Sequence, residues 1–571
     1  MKDFYIDVLI IVPLDNLFTY KTSYKIKIGS IINVPFGNNN EIVKGIVISK
    51  PYLPKEKFIV KDVISVENYE SILSLKQIQF LKWASTYYLV SLPKIFNSIF
   101  SKKILSLKVE DTEEINFFNK NKKQISNLII DNSDNILNHL INEIDKKKIK
   151  HQILILSPNT FQTQFIYKYF DKRVKNVHIY DSKTTLKNKL IIWEKILKDE
   201  ELLVLGSKSA VFLPFQNLNT IYVMHEHDFL YKEKDKLIRY NARDCALILS
   251  KIHNCNINLI SDSPSVDSIY NVKNNKLIIH DKFKKLHSKT DLSKVSIINK
   301  FEKQLKNGID GILSLDVLER IENNYDNKKK TIVFTPYSEN VKILFDTITN
   351  FNKSFKIFSL SKQKSFTRKQ LDDFYNRIND YDIIIGNYSV IDSLESFDYS
   401  LLVLIDPDRI SSLSYYKSNE IFFQLIFKVL KKVNSNKKLI LQLINTNSNE
   451  LKDNIRLDYL KIISKEMNER KIFEYAPYKR LISIEMYSKK KNNNKFIGKM
   501  LFKELKNKLK FCNPTDIGIV KKKEGFIYKV YLKLDRVKNL SKNKNTIYNT
   551  IKSIKKRKEF RDNLITIDVD P

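Results

Sequence analysis

The sequence predicts an α/β protein: two α/β lobes in tandem, preceded by a β-rich N-terminal domain and followed by a small α+β C-terminal domain. Three observations carry this. The runs NLII, QILIL, ELLVL, TIYVM and INLI, spread over residues 127–260, are continuous enough to be buried parallel strands, with helical stretches between them. TIVF, YDIII, SLLVLI and KLILQLI repeat that texture further along, as a second lobe would. With 571 residues and 43% hydrophobic content, the chain is long enough for several cored domains rather than one.

Residues 1–105 contain short β-branched segments, IDVLIIVP, SIINVPFG and KGIVIS, punctuated by Gly29, Gly37 and Gly45. From Leu75, LKQIQFLKWASTYYL sets its apolar residues on one helical face. Residues 101–127 are polar, charged and poorly patterned, and a linker is placed at 106–126. The first lobe then covers 127–275 and the second 276–450. Residues 446–490 read as helical, and a Lys/Asn-rich region from 491 leads to a last mixed unit with strands near FIYKVYLKL. The C-terminal domain is therefore drawn at 451–571.

The charge balance is lopsided, with 99 Lys+Arg against 64 Asp+Glu, a formal +35 and a pI near 9.6. Such a field attracts polyanions, nucleic acid first among them. AT-rich codon usage feeds the same excess, since Lys, Asn and Ile crowd the chain and only 10 Gly remain. Cys245, Cys255 and Cys512 make neither a disulfide framework nor a C-x-x-C pair, which fits a reduced, cytoplasmic setting. The apolar run at residues 8–12 is too short for a membrane span or a signal segment, and no run reaches the roughly 18 apolar residues of a span. A soluble protein without a membrane partner is expected.

The most specific motifs fall between residues 203 and 271. Gly206-Ser207-Lys208-Ser209-Ala210 is followed by a strand ending in Met224, His225, Glu226 and His227. Then come Arg239-Tyr240-Asn241-Ala242-Arg243-Asp244 and Ser261-Asp262-Ser263-Pro264-Ser265. This order resembles the first motor lobe of the primosomal replication-restart helicases, the PriA family, with its G-T-R-S-A, D-E-E-H, R-Y-H-A-R-D and S-A-T-P-S elements. The resemblance implies two RecA-like helicase lobes and an ATP- and magnesium-dependent 3′–5′ DNA helicase of superfamily 2. It also places Lys208 near the DNA path, with a solvated lysine as the alternative reading.

The catalytic parts depart from that pattern. A phosphate cradle needs G-x-x-x-x-G-K-S/T, because glycine lets successive amides turn toward the phosphates. No glycine lies between Gly45 and Gly206, and the loop after residues 127–130 is short and carries Asp131 and Asp134. Ser133 or Asp134 more simply caps the following helix. Where the family has Asp and Glu for magnesium, this chain has Met224 and His225. Glu226 is a remnant of the second acidic position. His225 and His227 fall on one side of a strand end, an arrangement that a borderline metal such as zinc accepts. Two histidines left there by drift is the simpler reading, and no metal is expected.

The second lobe changes in the same direction. Gly386-Asn387-Tyr388-Ser389-Val390-Ile391-Asp392-Ser393 stands where the family has G-T-Q-M-x-x-K-G. The run from Lys428 to Ser435 stands where Q-V-A-G-R-A-G-R supplies transition-state arginines. Lys432 keeps a charge there without arginine's bidentate fork. TIVFTPYSENVKILFDTI passes over the family's zinc-binding insertion, so no structural zinc is expected, and a winged helix has no room before the first lobe. No confident ATP, magnesium or catalytic residue follows.

The ends keep the pattern better. Residues 12–20, VPLDNLFTY, and Val34-Pro35-Phe36-Gly37 resemble the family domain that captures the 3′ end of a nascent strand. The resemblance places Phe18, Thr19, Gly37 and Lys61 around that pocket; a core with a turn glycine is the alternative. Ile567-Asp568-Val569-Asp570-Pro571 resembles the family's closing I-D-V-D-P. The expected partner is branched or forked DNA with a free 3′ end. Primosome proteins, the replicative helicase and single-strand-binding protein are the partner classes the resemblance implies. Three functions stand open: a fork-binding restart protein with a crippled motor, an active helicase with an unusual nucleotide site, and a drifting relic.

Overall fold

The computed structural model describes residues 4–107, 124–146, 151–280, 291–301, 309–360, 367–387, 397–444, 459–509, 514–536 and 540–571, less positions 13, 25, 54–59, 131–132, 172, 311, 414, 523–524 and 561–562. Strands β1 (Phe4–Ile10), β2 (Phe18–Thr22), β3 (Ile31–Phe36), β4 (Glu41–Val47) and β5 (Ser65–Asn68) make an antiparallel sheet in the order β2-β1-β4-β3-β5. β1 carries buried apolar residues on both faces, because each packs on a core. Ile6, Val8 and Ile10 point into a small core with Tyr20, Ile32 and Val34. Leu9, Ile31 and Ile46 face helices α1 (Leu75–Tyr88) and α2 (Leu92–Ile99) and join the large core of the molecule. Just before β5, the chain exchanges backbone hydrogen bonds with Lys21 of β2 at Lys61 and Val63, which draws the two sheet edges together.

The expected linker is structured at both ends. A 3-10 turn, Lys102–Ser106, buries Ile104 in the large core, and Ser126 already belongs to the next strand. Isolated polar residues hid that anchor, since one apolar side chain per turn gives no pattern.

The next sheet is wholly parallel. It contains β6 (Ser126–Ile130), β7 (Gln152–Leu156), β8 (Val177–Tyr180), β9 (Leu202–Gly206), β10 (Leu218–Val223), β11 (Asn256–Ser261) and β12 (Ile278–Ile279), in the order β12-β6-β11-β10-β7-β9-β8. Helices α3 (Ser133–Lys146), α4 (Thr160–Phe170), α5 (Leu186–Leu197), α6 (Ala242–His253) and α7 (Val266–Lys273) cover its faces. β12 pairs with β6, so this sheet runs past the residue-275 boundary drawn from sequence. Two apolar residues are too short a run to announce a strand.

A second parallel sheet follows: β13 (Val295–Asn299), β16 (Thr331–Thr335), β17 (Ile357–Ser359), β18 (Ile383–Asn387), β19 (Leu401–Ile405) and β20 (Lys438–Leu443), in the order β13-β20-β19-β16-β18-β17. A short hairpin, β14 (Ile309–Asp310) with β15 (Leu313–Ser314), precedes helix α8 (Leu315–Asp326). β16 passes within a few residues into α9 (Asn340–Phe351), and α10 (Arg368–Arg377) and α11 (Ser418–Leu430) complete this lobe.

The C-terminal region departs from the helical reading of 446–490. Helix α12 (Tyr459–Ile472) is present, but Arg480–Ser488 is strand β21. Its alternation decides this: Ile482, Ile484 and Met486 face the core, and the residues between them face the other way. β21 pairs with β23 (Gly525–Leu534) and with β24 (Asn563–Val569), and β22 (Thr515–Lys522) flanks β23. Helices α13 (Lys491–Lys508) and α14 (Leu540–Lys555) pack on this antiparallel sheet. No helix among the described residues is long and apolar enough to cross a membrane.

Candidate nucleic-acid interface

In the N-terminal sheet, antiparallel register sets Val8 opposite Phe18 and Asp7 opposite Thr19. The Phe18 ring meets Phe36 edge-on at 5.1 Å between centroids. Gly37 follows Phe36 into the turn at φ +72°, a left-handed conformation, and a Cβ there would meet nothing within 4 Å. Lys61 reaches this turn from 24 residues away in sequence, donating its ammonium to the Gly37 carbonyl at 2.7 Å. Phe18, Phe36, Gly37 and Lys61 thus form one group.

Thr19 stands apart from it. Strand alternation turns Thr19 to the opposite face from Phe18, where it donates to the Asp7 carboxylate at 3.0 Å beside the Tyr52 hydroxyl at 3.2 Å. The expectation of one pocket holding both side chains is not met. Asp7, which nothing in the sequence singled out, is the polar centre of that other face.

At the first lobe, β9 ends in Gly206, where a Cβ would lie 2.2 Å from that of Ala210. The G-S-K-S-A stretch therefore folds back tightly and presents Lys208 at the rim of a cleft of about 900 Å³. Lys183, Lys189 and Lys236 line this cleft as well, and Leu360 and Asn387 enter it from the second lobe. Burial pulls all three of those lysines below the ordinary lysine value. Lys208 pairs with Glu233 at 3.3 Å. Burial pushes the Glu233 carboxyl up, and Lys208, the Asp235 amide and Lys236 together bring it below the ordinary value.

The neighbouring strand ends gather the remaining motifs. Asn241 caps α6 by accepting the Arg243 and Asp244 amides, and Tyr240 is buried in the core. Glu226 is 1% exposed. It accepts the Ser265 amide at 2.7 Å, the Ser265 hydroxyl at 2.9 Å and the Arg243 guanidinium at 3.2 Å. Burial raises its carboxyl, and Arg243 and Ser265 oppose that only in part. Ser265 also caps α7 through the Ser268 amide. So Glu226 ties the strand end, the R-Y-N-A-R-D helix and the S-D-S-P-S loop into one buried network.

That loop is bolted to the second lobe. Glu420 in α11 accepts the Val266 amide at 2.7 Å and holds Arg470 of α12 at 2.7 Å, while Arg470 also bonds Glu466 at 2.8 Å. The Tyr459 hydroxyl donates to the Pro264 carbonyl at 2.8 Å. Lys431, one position before half-buried Lys432, crosses between the lobes and donates to the Asp262 carbonyl. Farther round, Arg368 donates to Gln164 at 2.6 Å and to buried Asp181 at 2.8 Å.

At the phosphate-loop position, β6 ends at Ile130 and α3 begins at Ser133, leaving two positions between them. Asp131 and the side chains of Ser133 and Asp134 lie outside the described residues, as do residues 388–393 of the second lobe.

Comparison with known proteins finds one family model and a set of similar curated proteins. Residues 7–101 match the PriA 3′DNA-binding domain (3′BD). Beyond that domain, the chain is similar to the PriA replication restart proteins. The replication restart protein PriA of Rickettsia typhi is 28% identical, over 56% of this chain and 51% of that protein. The chain therefore spans about half the length of the Rickettsia relatives it matches. The Borreliella burgdorferi protein of the same name is 22% identical but aligns across 96% of this chain and 97% of its own length. Among solved structures, the DUF1998 helicase MrfA bound to DNA overlaps loosely, at TM-score 0.40 and 12% identity, over 61% of this chain and 50% of that one.

Proposed function

We propose that this chain binds branched or forked DNA with a free 3′ end and serves replication restart in the cytoplasm, with a motor that does not turn over ATP. The observation that carries the first half is the group Phe18, Phe36, Gly37 and Lys61, which lies inside the matched 3′DNA-binding domain. An aromatic ring offers a stacking face for a terminal base, the open Gly37 turn lets a sugar approach, and the ammonium pairs with phosphate. The net charge of +35 draws DNA to all of it.

The second half rests on a misfit. Only two positions, Asp131 and Asn132, separate β6 from α3, and neither is the glycine that a phosphate cradle turns on. Met224 offers no oxygen ligand, and Glu226 is occupied by Arg243 and Ser265. Magnesium nucleotide therefore has no evident holder here, and no catalytic step is derived through it. The active-helicase reading draws on one feature, the lysine-lined cleft between the two lobes.

The test is DNA-stimulated ATP hydrolysis on a fork with a 3′-OH at the junction, with binding to the same fork measured in parallel. Binding that drops when the 3′ end is blocked by phosphate, without turnover, is the expected result. Magnesium-dependent turnover overturns the silent motor, and end-independent binding overturns the 3′-end reading.

A further inference from the structure

We infer that His225, His227 and Asp262 form a site for one borderline divalent metal ion, zinc being the natural occupant. The two histidines follow β10, and Asp262 follows β11, its parallel neighbour in the sheet. Adjacent parallel strands end at one level, so residues remote in sequence meet there. One ligand atom from each residue lies within 4.8 Å of the other two.

The details favour coordination. His227 is buried, with Nδ1 2.6 Å from the Ser261 hydroxyl. An Nδ1–H donating to that oxygen leaves Nε2 as an acceptor between the Ser263 hydroxyl at 3.4 Å and the Asp262 carboxylate at 3.9 Å, and a metal ion would displace the serine contact. Metal-bound imidazoles are commonly oriented by such a second hydrogen bond. Ser263 donates to the Asp262 carboxylate at 2.9 Å and fixes it in turn. His225 sits at φ +48°, a conformation unusual for a residue with a side chain, and its ring centroid stands 6.0 Å from that of His227. Three protein ligands leave a fourth position open, as in zinc sites that hold water or a ligand.

The neighbourhood also selects the metal. Two imidazoles favour zinc, cobalt or nickel, whereas magnesium prefers oxygen donors throughout. Lys431 and Lys428 stand near Asp262 and oppose any dication, zinc and magnesium alike. Lys431 turns its ammonium to the Asp262 backbone carbonyl.

The experiment titrates untagged, chelator-treated full-length chain with Co²⁺ and Zn²⁺, reading the visible Co²⁺ bands and the thermal midpoint. We expect one equivalent of Co²⁺ with tetrahedral-type bands, displaced by Zn²⁺ and unaffected by millimolar Mg²⁺. His225→Ala, at a half-buried position, should abolish the bands while the metal-free thermal midpoint stays put. Ser261→Ala should weaken binding about tenfold through His227 orientation alone. No bound cobalt, or binding that persists unchanged in both His225→Ala and Asp262→Asn, overturns the assignment.

Discussion

The N-terminal sheet and the junction between the two lobes use polar residues in opposite ways. Around Gly37 the chain leaves capacity outward: an open turn, an aromatic edge and an exposed lysine whose one drawn bond goes to a backbone carbonyl. At the lobe junction capacity is turned inward. Glu226, Arg243, Ser265, Glu420 and Arg470 are buried, and each bonds to other protein groups. A motif can therefore persist in a sequence for two different reasons. In the first region we propose that it serves a ligand, and in the second it serves the fold.

Four substitutions test this contrast, in order of expected effect. Glu420→Ala removes the partner of the Val266 amide and one of the two carboxylates on buried Arg470, so the motor lobes should lose about 3–5 kcal/mol of stability. A thermal or urea transition matching wild type would mean the junction is not a structural hub. Phe18→Ala should weaken binding to a fork with a free 3′ end by about 1–3 kcal/mol, the cost of one lost base stack. Its binding to blunt duplex should hardly change; equal losses on both DNAs would move the aromatic out of the end-binding role.

Gly37→Ala probes the left-handed turn itself. Strain there should cost about 1 kcal/mol of folding stability, with no clash to add to it. A larger loss seen in denaturation would place Gly37 in a packing role instead. Lys208→Ala should act least: uniformly weaker binding across DNA sequences and a salt slope lower by about one. An unchanged slope would leave the lysine serving only Glu233.

Much of the fold was legible because its signals are local. Continuous apolar runs marked β7, β9, β10 and β19, and one helical face marked α1. β12 and Ile104 escaped because each is too short to carry a period. β21 was misread because a helical neighbour masked its alternation. The site fared unevenly for a related reason. Gly37 and Lys61 could be picked from motifs, yet their contact depends on sheet edges closing, which no local pattern encodes. Thr19 was misplaced although strand period alone turns it away from Phe18. Asp262 seemed only a replaced alanine until parallel strands set it beside His225 and His227.

The closing strand has a consequence for how the molecule assembles. Asp570 accepts the Tyr87 hydroxyl from α1 and the Leu481 amide from β21, and Lys232 donates to the Val569 and Asp570 carbonyls and pairs with Asp568. Tyr415, from the second lobe, donates to the Pro571 carbonyl. Residues 567–571 leave the ribosome after every one of these partners. Earlier units can fold and dock in turn as they emerge, and this strand adds its contacts to several of them at the last step. Loss of residues 567–571 would therefore loosen α1, β21 and both lobes at once, rather than one of them.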